Sequence, residues 1–354
     1  MTPSEPRERL RIIDANLNRT GEGLRFLEDI ARLELDDAAL TLKLKTMRHQ
    51  LLESDWAFQR RLLGARNSEG DVGASTKTPG GEKQREMPIA VVANTRRVQE
   101  SLRVLEEMAK VSGTDPGLDP QRFKQARFDL YTIEQTLLAR LMRQDKVKRL
   151  PGVYVILDIQ ALNERSPIEM AGQVIRGGAR VIQLRDKLHS KKELLPLARE
   201  LRKLCAECDV LFIVNDFLDL ALAADADGLH LGQDDLPVTV ARKLLPIDKI
   251  LGCSTRTVEQ AAAAEAEGAD YIAVGSIYPT TSKETAGVVG LERLRQIRKA
   301  VTLPLVAIGG ITRDNAAEAA AAGAEAVAVI SAVLQARSPE EATRQLTATL
   351  EARE

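Results

Sequence analysis

Apolar residues recur at helical spacing in four segments of the first 150 positions: Leu10–Leu35, Ala38–Leu63, Pro88–Val111 and Arg122–Leu141. Side chains three and four apart share one face of a helix, so each segment predicts an amphipathic helix. Pro88 suits a first helical turn, where a missing N–H costs no hydrogen bond. From residue 151 the pattern changes to short apolar runs alternating with helices. The predicted strands are Val153–Leu157, Val181–Leu184, Leu211–Val214, Gly228–Leu231, Ile250–Cys253, Tyr271–Gly275, Leu305–Ile308 and Ala326–Ile330. A small-residue junction precedes several of them: GGARVIQL (177–184), ADADGLHL (224–231), EGADYIAV (267–274) and AGAEAVAV (322–329). It reads as a helix end feeding a buried parallel strand.

Strand–helix units of this number and length fit a compact (β/α)8 barrel. An open doubly wound sheet is the alternative, but it would place its best glycine loop after the first strand. The expected fold class is therefore α/β: a C-terminal TIM barrel over 151–354, preceded by an all-α domain over 1–145. The KVKR run at 146–149 reads as a short exposed linker over 146–150.

The helical part contains an internal repeat. ANLNRTGEGLRFLEDIAR (15–32) matches ANTRRVQESLRVLEEMAK (93–110), with identities at Asn16/Asn94, Arg19/Arg97, Glu22/Glu100, Arg25/Arg103 and Glu28/Glu106. One residue out of phase, the following segments match at Lys45/Lys124, Arg48/Arg127, Leu51/Leu130 and Arg61/Arg140. This predicts a duplicated helical hairpin, packed as a four-helix unit. Packing alone would keep only the apolar positions. The recurring Asn, Arg and Glu point to a polar network or a pseudo-symmetric site, although a young duplication would look the same.

Composition narrows the function. The 354 residues carry a formal net charge of −1 and only 3% aromatics. This balance lacks the broad positive field that draws proteins to DNA or membranes, and it offers few stacking platforms for bases. No segment approaches the ~20 apolar residues of a membrane span. The opening MTPSEPRERL has no apolar stretch for a secretory signal, so a cytoplasmic protein is expected. Cys205, Cys208 and Cys253 are an odd number, ill suited to a disulfide framework, and their spacing gives little support for zinc or redox chemistry.

Two regions carry candidate chemistry. Between the hairpins, GARNSEGDVGASTKTPGGEK (64–83) is rich in Gly, Ser and Thr and includes Asp71 and Lys77. Its backbone N–H groups could cradle phosphate, although it lacks the nucleotide-loop pattern after a strand and a solvated connector is the plainer reading. The second region is the set of strand ends, where barrels place function. In order these are Gln183-Leu184-Arg185-Asp186-Lys187, Asn215-Asp216, His230 through Asp235, Ser254-Thr255, Tyr278 through Lys283, Gly309-Gly310 and Ile330-Ser331. Alternation puts Gln183, Arg185 and Lys187 on one face. Asp216 and Asp235 beside Arg185, Lys187 and Lys283 suit a Mg²⁺–polyphosphate site. The glycines after the seventh strand and the residues after the eighth suit a phosphate cradle. A lone charge at a strand end is ordinarily a solvated loop residue, and His230 alone reads as a core histidine. The assembled set instead implies two phosphorylated substrates.

The motifs QLRDK (183–187), VND (214–216), DLALAADADGLHLGQDDLP (219–237), GCST (252–255), GSIYPTTSKE (275–284), AIGGIT (307–312) and VAVISA (327–332) resemble the thiamine-phosphate synthase family, in the family's order. The resemblance implies condensation of hydroxymethylpyrimidine pyrophosphate with hydroxyethylthiazole phosphate, giving thiamine phosphate and pyrophosphate. It assigns Gln183, Arg185, Lys187, Asn215, Ser254 and Lys283 to the pyrimidine pyrophosphate, with Arg185, Lys187, Ser254 and Lys283 as the catalytic contacts. It assigns Asp216 and Asp235 to Mg²⁺, and Thr280, Ser282, Gly310, Ile330 and Ser331 to the thiazole phosphate. The family's Thr-x-Thr-Lys stands here as Thr280-Thr281-Ser282-Lys283, which keeps the hydroxyl, and the loop to Gly290 is a residue short. A sister group, the thiazole tautomerases, shares the barrel with a degraded pyrophosphate site.

The segments RIIDANLNRTGEGLRFLED, EGDVGAST and VVANTRRVQESLRVLEEMAK resemble a helical domain found fused ahead of this synthase. That resemblance implies a hydroxymethylpyrimidine-phosphate kinase using ATP, with Asp71 and Lys77 in the ATP loop and Asn16/Asn94 and Arg19/Arg97 for the substrate. The rival is a non-catalytic dimerisation or regulatory module, and a homo-oligomer is compatible with the sequence. For the barrel, the rival is a ligand sensor without turnover.

Overall fold

In the computed structural model, residues 6–67, 86–115, 117–280 and 287–352 are described. Among them, the apolar runs of the second half pair in chain order as β1 (Gly152–Asp158), β2 (Ala179–Arg185), β3 (Leu211–Asn215), β4 (Gly228–Leu231), β5 (Ile250–Thr255), β6 (Tyr271–Gly275), β7 (Leu305–Ile308) and β8 (Ala326–Val329). All neighbours are parallel, and β8 returns to β1, closing a barrel. The chain thus has the expected α/β architecture, a TIM barrel preceded by helices.

Strand alternation divides the core into two layers. Val153, Val155, Ile182, Phe212, Leu229, Leu251, Ile272 and Val327 face outward and pack with the surrounding helices. Tyr154, Ile156, Val181, Leu211, Ile213, Ile250, Tyr271 and Val306 face inward and fill the barrel. Gly252 occupies an inward position because a Cβ there would lie 2.1 Å from Cζ of Tyr271. That glycine makes room for the tyrosine ring.

The small-residue junctions have a specific task. The acidic residue of ADADG, EGAD and AGAE closes the open start of the preceding odd-numbered strand. Asp227 accepts from the Phe212 N–H at 3.0 Å, Asp270 from Leu251 at 2.8 Å and Glu325 from Leu305 at 2.7 Å. In each case the acidic residue's own N–H returns a bond to the carbonyl of that same strand residue. Small residues before each acid let the chain approach closely, and backbone groups that would otherwise be orphaned are paired.

The first half forms α1 (Arg7–Asp29), α2 (Ala38–Leu52), α3 (Trp56–Ala65), α4 (Met87–Ala109) and α5 (Pro120–Lys148), with a wider π-type turn at Ile30–Glu34 after α1. The single helix expected over Ala38–Leu63 is two helices. Asp55 accepts from the Phe58 N–H at 2.6 Å and so caps a new start, as Asp37 does for α2. α1 and α4, the first helices of the two repeats, lie against each other so closely that a Cβ on Gly23 would come within 2.3 Å of Val98.

The recurring polar residues form two matching ion-pair nests. Glu28 is buried and receives Arg25 at 3.2 Å and Arg48 at 2.9 Å. Glu106 is equally buried and receives Arg103 at 3.0 Å, Lys110 at 2.9 Å and Arg127 at 3.3 Å. The Lys110 hydrogen bond, followed by Arg103, outweighs burial and holds the Glu106 carboxyl at about 2.

The exposed linker expected at 146–150 is instead the end of a helix and the start of the barrel unit. α5 runs on to Lys148, and the division into compact units falls inside it, between Met142 and Arg143. Within the barrel unit, Arg143 bonds Asp270 at 2.7 Å, Lys146 bonds the Asp248 carbonyl at 2.7 Å, and Leu150 is fully buried. The charges of KVKR suit a helix C-terminus, where cations meet the negative end of the dipole.

Candidate active site

The C-terminal ends of β2 to β5 carry the polar set read from the sequence. Gln183 and Arg185 on β2, Asn215 on β3, His230 on β4 and Ser254 on β5 share the inward parity of the barrel core. Beneath them runs a buried chain of hydrogen bonds. Gln183 Nε2 donates to the Tyr154 hydroxyl at 2.8 Å, which lies 3.0 Å from the Tyr271 hydroxyl. Tyr271 lies 3.0 Å from His230 Nδ1, and His230 Nε2 lies 2.9 Å from Ser254 Oγ.

Gln183 donates to Tyr154, and from there either atom of each pair can donate, so the His230 tautomer sets which way the chain runs between Tyr154 and Ser254. Burial pushes both tyrosine hydroxyls well above their ordinary range, so they remain protonated donors. Sequence reasoning missed both tyrosines because a buried aromatic in a barrel strand reads as packing. Their inward parity, shared with Gln183 and Ser254, is the signal that could have found them.

Arg185 is held by Asp158 at the end of β1, another residue the sequence reading passed over. Asp158 is buried, so the guanidinium is fixed in orientation. Lys187 follows on a loop shaped by Asp186. That carboxylate accepts from the Leu188 and His189 N–H groups at 2.6 and 3.2 Å and contacts His189 Nδ1 at 2.6 Å. Burial alone would raise Asp186, but these bonds more than offset it and its pKa falls.

Asp216 and Asp235 meet across the ends of β3 and β4. Asp216 adopts a left-handed backbone (φ 61°) and donates its N–H to the His230 carbonyl at 2.9 Å, while Asp235 is fixed by the Gly232 N–H at 2.6 Å. Burial first, then a hydrogen bond and charge repulsion from Asp235, raise the Asp216 carboxyl to about 6, against the pull of Lys187 and Arg185. Two carboxylates that crowd each other beside two cations fit a divalent cation that also binds phosphate. No group of three His, Cys, Asp or Glu converges among the described residues. Two carboxylates, with further positions left to phosphate and water, are a donor set that would suit Mg²⁺.

On the other side of the barrel order, β7 ends in Gly309 and Gly310, both at positive φ (95° and 66°). A Cβ on Gly310 would lie 2.6 Å from the Pro279 carbonyl, so only glycine fits this loop. Asn315 ties the turn, donating to the Gly310 carbonyl at 2.9 Å and accepting from the Thr312 N–H at 2.8 Å. Ile330 and Ser331 follow β8, with Ser331 opening the short helix Ser331–Leu334. Thr280 is described, whereas Ser282 and Lys283 lie outside the described residues, as do Asp71 and Lys77. The Cys205 and Cys253 thiols are buried and pushed up to about 12 and about 11 by burial, which keeps them protonated.

A family model described as thiamine monophosphate synthase matches residues 153–333, and one described as the ThiD2 family matches residues 11–136. The chain is 38% identical over 347 residues to a thiamine-phosphate synthase of Thermosynechococcus vestitus, covering 98% of this chain and 96% of that protein. A thiamine-phosphate synthase of Synechocystis sp. is 40% identical over 348 residues, covering 98% and 97%. The chain belongs to the thiamine-phosphate synthase family. The likeness to those synthases spans the helical half as well as the barrel. Among solved structures, a thiamine phosphate pyrophosphorylase from Pyrococcus furiosus is 41% identical, with a TM-score of 0.54. It covers 58% of this chain and 98% of that chain. Transferase chemistry of thiamine biosynthesis is thus the family assignment. No helix among the described residues is long and apolar enough to cross a membrane.

Asn16 and Asn94 donate to carbonyls one turn back on their own helices, at 2.8 and 2.9 Å. Arg19 and Arg97 are exposed.

Proposed function

We propose that the barrel joins hydroxymethylpyrimidine pyrophosphate to hydroxyethylthiazole phosphate. The observation that carries this reading is the pairing of Asp216 with Asp235 beside Arg185 and Lys187, at the mouth of a barrel whose β7 ends in a glycine cradle. Gln183, Asn215 and Ser254 orient the pyrimidine. Arg185, Lys187 and Lys283 take the pyrophosphate, and Thr280, Ser282, Gly310, Ile330 and Ser331 take the thiazole phosphate.

Asp216 and Asp235 would hold Mg²⁺, which when bound supplies positive charge to the pyrophosphate leaving group. The bond from the pyrimidine methylene carbon to the pyrophosphate oxygen breaks, and its electron pair leaves with pyrophosphate. The thiazole nitrogen then gives its lone pair to that carbon. Arg185, fixed by Asp158, meets the growing negative charge without reorganising, which is where electrostatic catalysis gains most. No proton has to move at the reacting atoms, so no general base is needed. The test is turnover. Both substrates and Mg²⁺ should yield pyrophosphate and thiamine phosphate in equal amounts, and tight binding without product would leave the sensor reading.

We further propose that the helical domain phosphorylates hydroxymethylpyrimidine phosphate with ATP, making the pyrophosphate that the barrel consumes. Its support is the ThiD2 family match over residues 11–136 together with the resemblance of the repeat. The full chain given ATP and hydroxymethylpyrimidine phosphate should release ADP. Absence of ADP while the barrel stays active would favour a regulatory module.

A further inference from the structure

The two repeats of the helical unit differ in their second helices. The segment Glu53–Asp55 breaks the chain between α2 and α3, whereas the matching stretch of α5 runs through unbroken. The break brings α3 back against α1 and leaves a cleft of about 520 Å³ bounded by α1, the end of α2 and α3. This is within the size range of small-molecule sites.

Three guanidinium groups line the cleft: Arg25, Arg48 and Arg66. Buried Glu28 holds Arg25 and Arg48, and Asp14 holds Arg66 through two bonds at 2.7 and 3.0 Å. A guanidinium carries five N–H donors in a planar fork, so these contacts orient each arginine and leave donors over. Asp14 and Arg66 are absent from the second repeat, where Val92 and Asp145 stand at the matching positions. The cleft therefore contains cationic machinery beyond the shared Glu28 nest.

The rest of the lining is of two kinds. Leu17, Leu52 and Leu63 give an apolar shelf, and Glu22 adds a carboxylate acceptor. We propose that this cleft binds a small phosphate monoester carrying a flat, amine-bearing heteroaromatic ring. The arginine forks match phosphate oxygens, the leucines cover the ring and Glu22 accepts from the amine. The inference rests on the reading that the helical domain acts on a phosphorylated pyrimidine, and it locates that substrate.

The experiment is calorimetric titration of the full chain with hydroxymethylpyrimidine phosphate, without ATP. The parent carries Arg185→Ala, Lys187→Ala and Lys283→Ala, which remove the three barrel cations assigned to the pyrophosphate. Arg48→Gln and Arg66→Gln should each weaken binding about 10- to 100-fold, the worth of a charge-assisted hydrogen bond. Arg103→Gln, in the second nest, should leave it unchanged. Arg66 is half-exposed at the end of α3, so its removal spares the core. If neither Arg48→Gln nor Arg66→Gln weakens binding, or if the parent does not bind, the cleft is not the site. If binding follows these variants while no ADP forms from ATP, the cleft stands and only the kinase reading falls.

Discussion

Tyr271→Phe tests the buried hydrogen-bond chain with a single atom. The hydroxyl lies 3.0 Å from both the Tyr154 hydroxyl and His230 Nδ1, and the tyrosine is fully buried. Its removal takes one hydrogen-bond partner from Tyr154 and one from His230, in a buried place. Losing a buried hydrogen-bond partner costs about 1–3 kcal/mol, so losing two costs roughly 2–6 kcal/mol. In a domain of this size each kcal/mol moves the melting temperature by about 2–4 °C, which gives a fall of about 4–24 °C. The two units can be followed separately. The single tryptophan, Trp56, sits in α3 and reports the helical unit, while three of the four tyrosines lie in the barrel and dominate its near-ultraviolet circular dichroism. The expected result is a lowered barrel transition with the Trp56 transition unmoved, together with weaker use of the pyrimidine substrate as the His230 contact that positions Ser254 loosens. A barrel transition within about 1 °C of the parent would refute the reasoning, because the chain would then contribute nothing.

Other predictions follow from the same geometry. Asp270→Ala removes the acceptor of the Leu251 N–H and strands Arg143 and Arg242, so chemical denaturation should show a loss of about 3–5 kcal/mol, partly recovered in Asp270→Asn. Gly310→Ala places a Cβ against the Pro279 carbonyl at a positive φ. It should raise KM for the thiazole phosphate about tenfold or more while leaving KM for the pyrimidine pyrophosphate near its parent value. Glu106 is held at about 2, below its ordinary 4.5, so its stabilisation is complete above pH 4.5 and is lost as pH falls through 2. The Trp56 unfolding midpoint should decline across that window, and Glu106→Gln should flatten the decline; a slope unchanged in that variant would contradict the ion-pair nest.

The barrel was readable because its grammar is local and repetitive. The runs at Gly228–Leu231, Tyr271–Gly275 and Leu305–Ile308 fold with the boundaries read from the sequence, and the others differ by one or two residues at an end. Strand parity then placed Gln183 and Arg185 on the inward face without any tertiary information. What escaped were partners distant along the chain. Asp158 meets Arg185 only because β1 pairs with β2, and Tyr154 meets Tyr271 only because the barrel closes. At the end of α5 the run KVKR is as characteristic of a helix C-terminus as of a linker, so local sequence does not separate the two. The α2–α3 break had a local signal in Asp55, a capping residue, but the apolar period on either side concealed it. The polar half of the repeat was legible as a pattern, and its meaning, two buried glutamates each held by arginines, required coordinates.

The central claim is that Asp216 and Asp235 organise a Mg²⁺-dependent condensation at the barrel mouth. The most direct measurement is pyrophosphate release by the full chain supplied with hydroxymethylpyrimidine pyrophosphate, hydroxyethylthiazole phosphate and Mg²⁺, compared with Asp235→Ala. The account predicts stoichiometric pyrophosphate and thiamine phosphate from the parent, dependent on Mg²⁺, and loss of both in the variant. Parent-level turnover in Asp235→Ala would contradict it.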